Sequence, residues 1–169
     1  MGSGKSTLGR ELGLFMQMPF SDLDDCIEWR ENLPIAEIFS QKGEDYFRLR
    51  ESEILKEFNS TSSVSIIATG GGTPLFGDNM DHMLQCGLVV YLEADVPELI
   101  EGIRESGKDR PMLQGKTGDE LFRFIEQHLH QRIGTYQRAH LLLNVRENNV
   151  PENCRIIAEA YSTRKRAGL

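Results

Sequence analysis

The sequence predicts an α/β fold, a doubly wound parallel β-sheet flanked by helices, and three observations carry that expectation. Val64–Thr69 and Leu88–Leu92 are largely apolar runs without alternation, the pattern of strands covered on both faces. The stretches between such runs have helical spacing, as in Leu8, Leu12, Phe15 and Met16, so helices connect the strands as parallel crossovers. Polar and glycine-rich clusters follow the strands, where open α/β sheets bind ligands.

Taken in order, residues 5–16 are expected to be helical and 19–22 a short strand ending at Asp22. Residues 24–58 read as helix broken near Asn32–Pro34 and at Gly43. Val64–Thr69 is a strand stopped by Gly70, Gly71 and Gly72. A short helix over 78–86 leads to the strand Leu88–Leu92, and a helix over 96–105 follows. Residues 106–118, with Gly107, Pro111, Gly115 and Gly118, read as a mobile lid loop. A long helix from Asp119 to Arg138, a strand over Leu141–Val145 and a helix over 151–163 opened by Pro151 complete the chain. With 169 residues and no linker or repeat, 1–169 is expected to be a single domain, with 24–60 as its substrate-binding part.

Composition narrows the function. A net charge of −7 disfavours general binding to nucleic acid or anionic membrane, so positive charge for a phosphorylated ligand must be local. No apolar run reaches the length of a membrane span, and no targeting segment is visible. The expected setting is therefore the cytoplasm. Cys26, Cys86 and Cys154 have no metal spacing and are expected as reduced thiols. His82, His128, His130 and His140 form no metal motif and are expected at the surface or an interface.

The chain opens Met1-Gly-Ser-Gly-Lys-Ser-Thr7, and Gly4-Lys5-Ser6 is the second half of G-x-x-x-x-G-K-[ST]. Gly2, Ser3 and Gly4 let backbone amides curl round phosphate oxygens, and the following helix adds its positive N-terminus. Lys5 can reach the β and γ phosphates, Ser6 can offer a hydroxyl to Mg²⁺, and Thr7 can bond a further phosphate oxygen. Asp22 and Asp24, two apart at a strand end, are expected to face the same way. One can hold a metal's water shell and the other an acceptor hydroxyl; a helix N-cap explains one of them equally well. Arg48 and Glu51 share a helix face, either as a surface ion pair or as an arginine held to grip a carboxylate. The three glycines leave a bare backbone for a small ligand. Arg110, in the lid, can neutralise charge on the γ-phosphate. Arg104 and the turn at Asn144–Pro151 are candidates for framing adenine, and Arg132, four residues before Tyr136, is a candidate second anchor.

GSGKST, Asp22-Leu-Asp24, Ile27-Glu28, GE-x-x-FR-x-x-E from Gly43 to Glu51, Thr69–Gly72, Arg110-Pro111 and R-x-x-x-Y from Arg132 to Tyr136 together resemble shikimate kinase over nearly the whole chain. The resemblance implies a P-loop fold of nucleoside-monophosphate-kinase type and transfer of the ATP γ-phosphate to the 3-hydroxyl of shikimate. It implies Lys5, Asp24 and Arg110 as catalytic residues, with Ser6 and Asp22 at Mg²⁺. Gly2, Ser3, Gly4, Lys5, Ser6, Thr7, Arg104, Arg110 and Pro151 would bind the nucleotide. Asp24, Arg48, Gly70, Gly71, Gly72 and Arg132 would bind shikimate. It also implies a strand and a first loop glycine ahead of Met1, so Met1 is expected to be an internal start. A monomer is expected. Another small-molecule kinase, such as a gluconate kinase, would share the loop but need not share FR-x-x-E or the triple glycine. An inactive nucleotide-binding module would need neither Asp24 nor the arginines.

Overall fold

The computed structural model describes residues 2–60, 64–106, 113, 115–145 and 149–168. Its first helix, α1 (Lys5–Met16), starts after Gly4 in the left-handed region (φ 76°) and ends at Gln17 (φ 54°). The amide of Met18 returns to the Gly13 carbonyl and closes the helix end. Strand β1 (Phe20–Asp22) feeds directly into α2 (Leu23–Glu31). Pro34 then precedes α3 (Ile35–Ser60), which is interrupted at Gly43 (φ 84°, ψ 170°). The two breaks read in the sequence are both present.

Strand β2 (Ile66–Ala68) pairs in parallel with β1, Phe20 opposite Ile66 and Asp22 opposite Ala68. A 3-10 turn over Thr73–Leu75 leads to α4 (Asn79–Cys86). Strand β3 (Val90–Glu93) is followed by α5 (Val96–Ser106) and α6 (Gly118–Tyr136). Strand β4 (Leu141–Asn144) pairs in parallel with β3, Val90 opposite Leu141 and Glu93 opposite Asn144. Helix α7 (Val150–Arg166) ends the chain, capped by the Asn149 side chain on the Glu152 amide.

Three apolar clusters hold these elements. Leu23, Ile27, Ile38, Phe47, Ile54 and Leu55 join α2 to α3. Leu8, Leu12, Leu143, Cys154 and Ile157 join α1, β4 and α7. Val96, Leu99, Leu121 and Ile125 join α5 to α6. Burial of such side chains contributes about 1.5–3 kcal/mol each before the entropy of ordering the chain is subtracted.

The four strands form two parallel pairs, β1–β2 and β3–β4. Between the inner edges of β2 and β3 lies a cavity of about 690 Å³, bordered by Ile66, Ala68, Val90 and Leu92 from the strands and by Leu12 and Met80 from the helices. That cavity explains a departure in burial. Strands expected to be buried on both faces are mostly half-buried, and no residue of β3 is fully buried, because they border the cleft. The cleft reaches Ser3 and Lys5 of the phosphate loop. The three cysteines are free. His128 stacks on Phe124 and borders the cleft.

Candidate active site

The donor side is built at the start of α1. Gly2 (φ 72°) and Gly4 (φ 76°) both occupy the left-handed region that allows the turn, and Gly4 caps α1 with no side-chain hydrogen bond. The dipole of α1 favours an anion at its N-terminal amides. Lys5 is half-buried and borders the upper cleft, while Thr7 is exposed. Ser6 Oγ donates to Asp22 Oδ2 at 2.5 Å, joining the phosphate loop to the end of β1.

Asp22 also accepts from the amide of Asp24 at 3.1 Å, which makes it the N-cap of α2. The expected N-cap role is therefore present through one oxygen, and the other oxygen bonds Ser6. The expectation that Asp22 and Asp24 share a strand face is corrected. The chain turns into α2 at Leu23, so Asp24 lies in a first helical turn and is directed by the helix rather than the pleat.

The acceptor side centres on Glu51, whose side chain has no solvent exposure. Arg48 Nη1 donates to Glu51 Oε2 at 2.7 Å, and Thr73 Oγ1 donates to Glu51 Oε1 at 2.5 Å. The Arg48 side chain is 16% exposed, so the surface-pair reading is overturned: an ionised carboxylate is stable at such a place only if paired. Glu44 adds a bond to Arg48 Nε at 3.3 Å. Below them, Ser52 Oγ donates to Asn79 Oδ1 at 2.7 Å, and Asn79 Nδ2 donates to the Thr73 carbonyl at 2.9 Å. These bonds tie α3, the 3-10 turn and α4 into one buried polar network.

Gly70 and Gly72 permit a close approach. A Cβ on Gly72 would stand 2.7 Å from the Arg48 guanidinium carbon. A Cβ on Gly70 would stand 2.8 Å from Glu51 Oε1, 3.1 Å from Thr73 Oγ1 and 3.5 Å from Asp24 Oδ1. The bare backbone is thus covered first by the protein's own charged groups. Those distances also bring Asp24, Arg48 and Glu51 together on one short loop. Gly71 offers its carbonyl to Tyr136 Oη at 2.5 Å. Burial pushes the Tyr136 phenol up, partly offset by Arg132, which hydrogen-bonds it, and by Arg48. Both arginines therefore act on the same tyrosine, and Arg132 borders the cleft with Gly70 and Gly71.

The bonds of Thr73 and Tyr136 join residues far apart in the chain, and local spacing gives no sign of them. Arg104 is exposed in the last turn of α5. Pro151 is exposed in the first turn of α7, where Asn153 Nδ2 donates to the Val145 carbonyl at 3.3 Å. Arg110, Pro111 and most of the 106–118 loop lie outside the described residues.

Ser6 and Asp22 present a hydroxyl and a carboxylate oxygen side by side at the phosphate loop. Among the described residues no group of three or more His, Cys, Asp or Glu is placed to hold a metal. Two hard oxygen donors without a full protein cage suit an ion that keeps waters and phosphate oxygens in its shell.

Comparison with known proteins identifies the family. A family model described as shikimate kinase matches residues 1–161. The shikimate kinase of Bacteroides fragilis is 42% identical over 142 residues, covering 84% of this chain and 79% of that protein. The crystal structure of shikimate kinase from Bacteroides thetaiotaomicron superposes with a TM-score of 0.86 at 36% identity, covering 94% of this chain and 92% of that one. Shikimate kinase from Acinetobacter baumannii in complex with shikimate gives a TM-score of 0.86 at 30% identity, covering 98% and 90%. A phosphate loop joined to an acidic strand end, a buried Arg–Glu pair beneath three glycines and these matches together place the chain in the shikimate kinase family.

Proposed function

We infer that this chain is a shikimate kinase: it transfers the γ-phosphate of ATP to the 3-hydroxyl of shikimate, giving shikimate 3-phosphate and ADP. This is the phosphorylation step of the chorismate route to aromatic amino acids. The observation that carries the reading is Arg48, pinned by the buried Glu51 against Gly72. A guanidinium fixed in that way is a ready partner for a small carboxylate. Arg132 is proposed as the second anchor, and residues 24–60 with the glycines of 70–72 as the substrate-binding region.

Asp24 is proposed to accept a hydrogen bond from the acceptor hydroxyl and to take its proton as the new O–P bond forms. Lys5 lies on the phosphate side and balances negative charge on the transferring group. Arg110 is proposed to add charge from the lid. Gly2, Ser3, Gly4, Ser6 and Thr7 would hold phosphates, with Arg104 and Pro151 beside the base. Ser6 and Asp22 fit Mg²⁺, which when bound neutralises phosphate charge. Positioning and electrostatics supply most of the rate in phosphoryl transfer, so these groups are sufficient for the reaction.

No helix among the described residues is long and apolar enough to cross a membrane. A cytoplasmic monomer is proposed, and sedimentation tests the oligomeric part. The function is tested by ADP release with Mg-ATP and shikimate, with gluconate as the competing acceptor. Shikimate-dependent release supports the assignment. Release with gluconate alone, or ATP binding without turnover in a folded chain, overturns it.

A further inference from the structure

Glu31 lies at the end of α2, away from the reacting groups, yet its side chain is only 6% exposed. Its carboxylate has three donors. Oε2 accepts from Lys42 Nζ at 2.7 Å and Tyr46 Oη at 2.8 Å, and Oε1 accepts from Arg50 Nε at 2.8 Å. These partners hold the carboxyl down to about 2, Lys42 having the largest effect, then Tyr46 and Arg50. The pattern of donors is informative. Lys42 stands immediately before Gly43, where α3 leaves helical geometry, and Tyr46 and Arg50 stand after it.

We propose that Glu31 is a positioning residue: by bonding both sides of the break at Gly43, it locks the angle between the two halves of α3 and so aims Arg48 at the acceptor. A glycine break has no helical ladder to hold its angle. Apolar packing of Phe47, Ile54 and Leu55 against Leu23 and Ile27 buries the second half, but such packing has little directional preference. Charge-assisted bonds are directional. Arg50 follows Arg48 by two residues and precedes Glu51 by one, so Glu31 grips the same helical turn that carries the acceptor arginine. Tyr46 packs against the α2–α3 cluster, which keeps the bonds partly shielded from water. Arg30 pairs with Glu57 on the neighbouring turn and does not compete for Glu31.

The proposal rests on the acceptor role given above to Arg48, and its test separates the two. Glu31→Gln keeps the shape and removes the charge. It should raise KM for shikimate by about five- to tenfold, leave KM for ATP unchanged and alter kcat less than twofold, as expected when acceptor binding alone is misaligned. Tyr46→Phe removes a single bond and should give a smaller change of the same kind, which covers the case in which Glu31→Gln does not fold. Amide hydrogen exchange supplies a readout independent of turnover. Exchange over residues 43–51 should quicken in Glu31→Gln, while exchange in α6 should not. Equal rises in both KM values, a fall in kcat with KM for shikimate unchanged, or unaltered exchange over 43–51 would each overturn the clamp. If the native chain shows no shikimate-dependent ADP release, the assigned function fails, and the exchange result still decides the clamp.

Discussion

The two sides of the site are held in different ways. On the acceptor side Glu51, Ser52, Thr73 and Asn79 are all buried and all bonded to one another or to neighbouring groups. On the donor side Gly4 is exposed and the cap of α1 has no side-chain bond; Ser6–Asp22, the apolar packing of Leu8 and Leu12 and the close approach of Gly2 to Leu99 and Gly102 hold it. A small acceptor has few atoms with which to organise its own pocket, so its arginine has to be placed beforehand. A nucleotide triphosphate brings many oxygens and can order a loop of amides as it binds.

The sharpest test of that contrast is at Asp24. Asp24→Asn should lower kcat by a factor of about 10²–10⁴, the contribution of a positioned base, with ATP affinity kept in titration calorimetry. Loss of ATP affinity would mean that the two sides are not separable. Next in size is Glu51→Ala, which leaves Arg48 and Thr73 without their shared partner. Breaking a buried pair costs roughly 3–5 kcal/mol, so thermal unfolding should move down by roughly 10 °C. An unchanged Tm would show that the acceptor network is not preformed.

Arg48→Ala should raise KM for shikimate about tenfold or more, the value of a lost charged bond, and leave KM for ATP alone. The smallest effect expected is in pH. Burial lowers the His128 and His140 pKa values, with Arg132 and Arg164 adding to the effect. A histidine whose folded pKa lies below its unfolded value costs nothing when both states are neutral. Stability should therefore fall as pH drops below about 6.5, where the unfolded chain takes up protons first. His140→Asn should flatten the His140 part of that fall in urea titrations at pH 7 and pH 5.5.

Much of the fold was legible because it rests on local signals. Pro34 separates α2 from α3 and Gly43 interrupts α3 where the sequence places them, and Pro151 stands in the first turn of α7. What local signals could not show was the direction of side chains across elements. Asp22-Leu-Asp24 reads as strand until the chain turns at Leu23, and the turn is decided by the cap that Asp22 itself forms. Spacing leaves Arg48 and Glu51 open between a surface pair and a held arginine, because it says nothing of depth. Glu51 is buried by Thr73, 22 residues away in the chain. The bond from Tyr136 to Gly71 spans 65 residues, and no spacing rule reaches that far. Glu31, Lys42, Tyr46 and Arg50 gave no motif at all, since each is an ordinary polar residue until α2 and α3 are packed.

The cleft between β2 and β3 also has a thermodynamic consequence. Unfolding raises the heat capacity in proportion to the apolar surface it newly exposes, and denaturant sensitivity follows the same surface. Side chains bordering the cleft, such as Ile66, Val90 and Leu92, are only half-buried in the folded state. A chain of 169 residues would ordinarily show a ΔCp of about 2.0–2.5 kcal/mol/K. Calorimetry of this chain should give less, with a flatter stability curve and a shallower urea slope. Any extended segment that filled the cleft would steepen both.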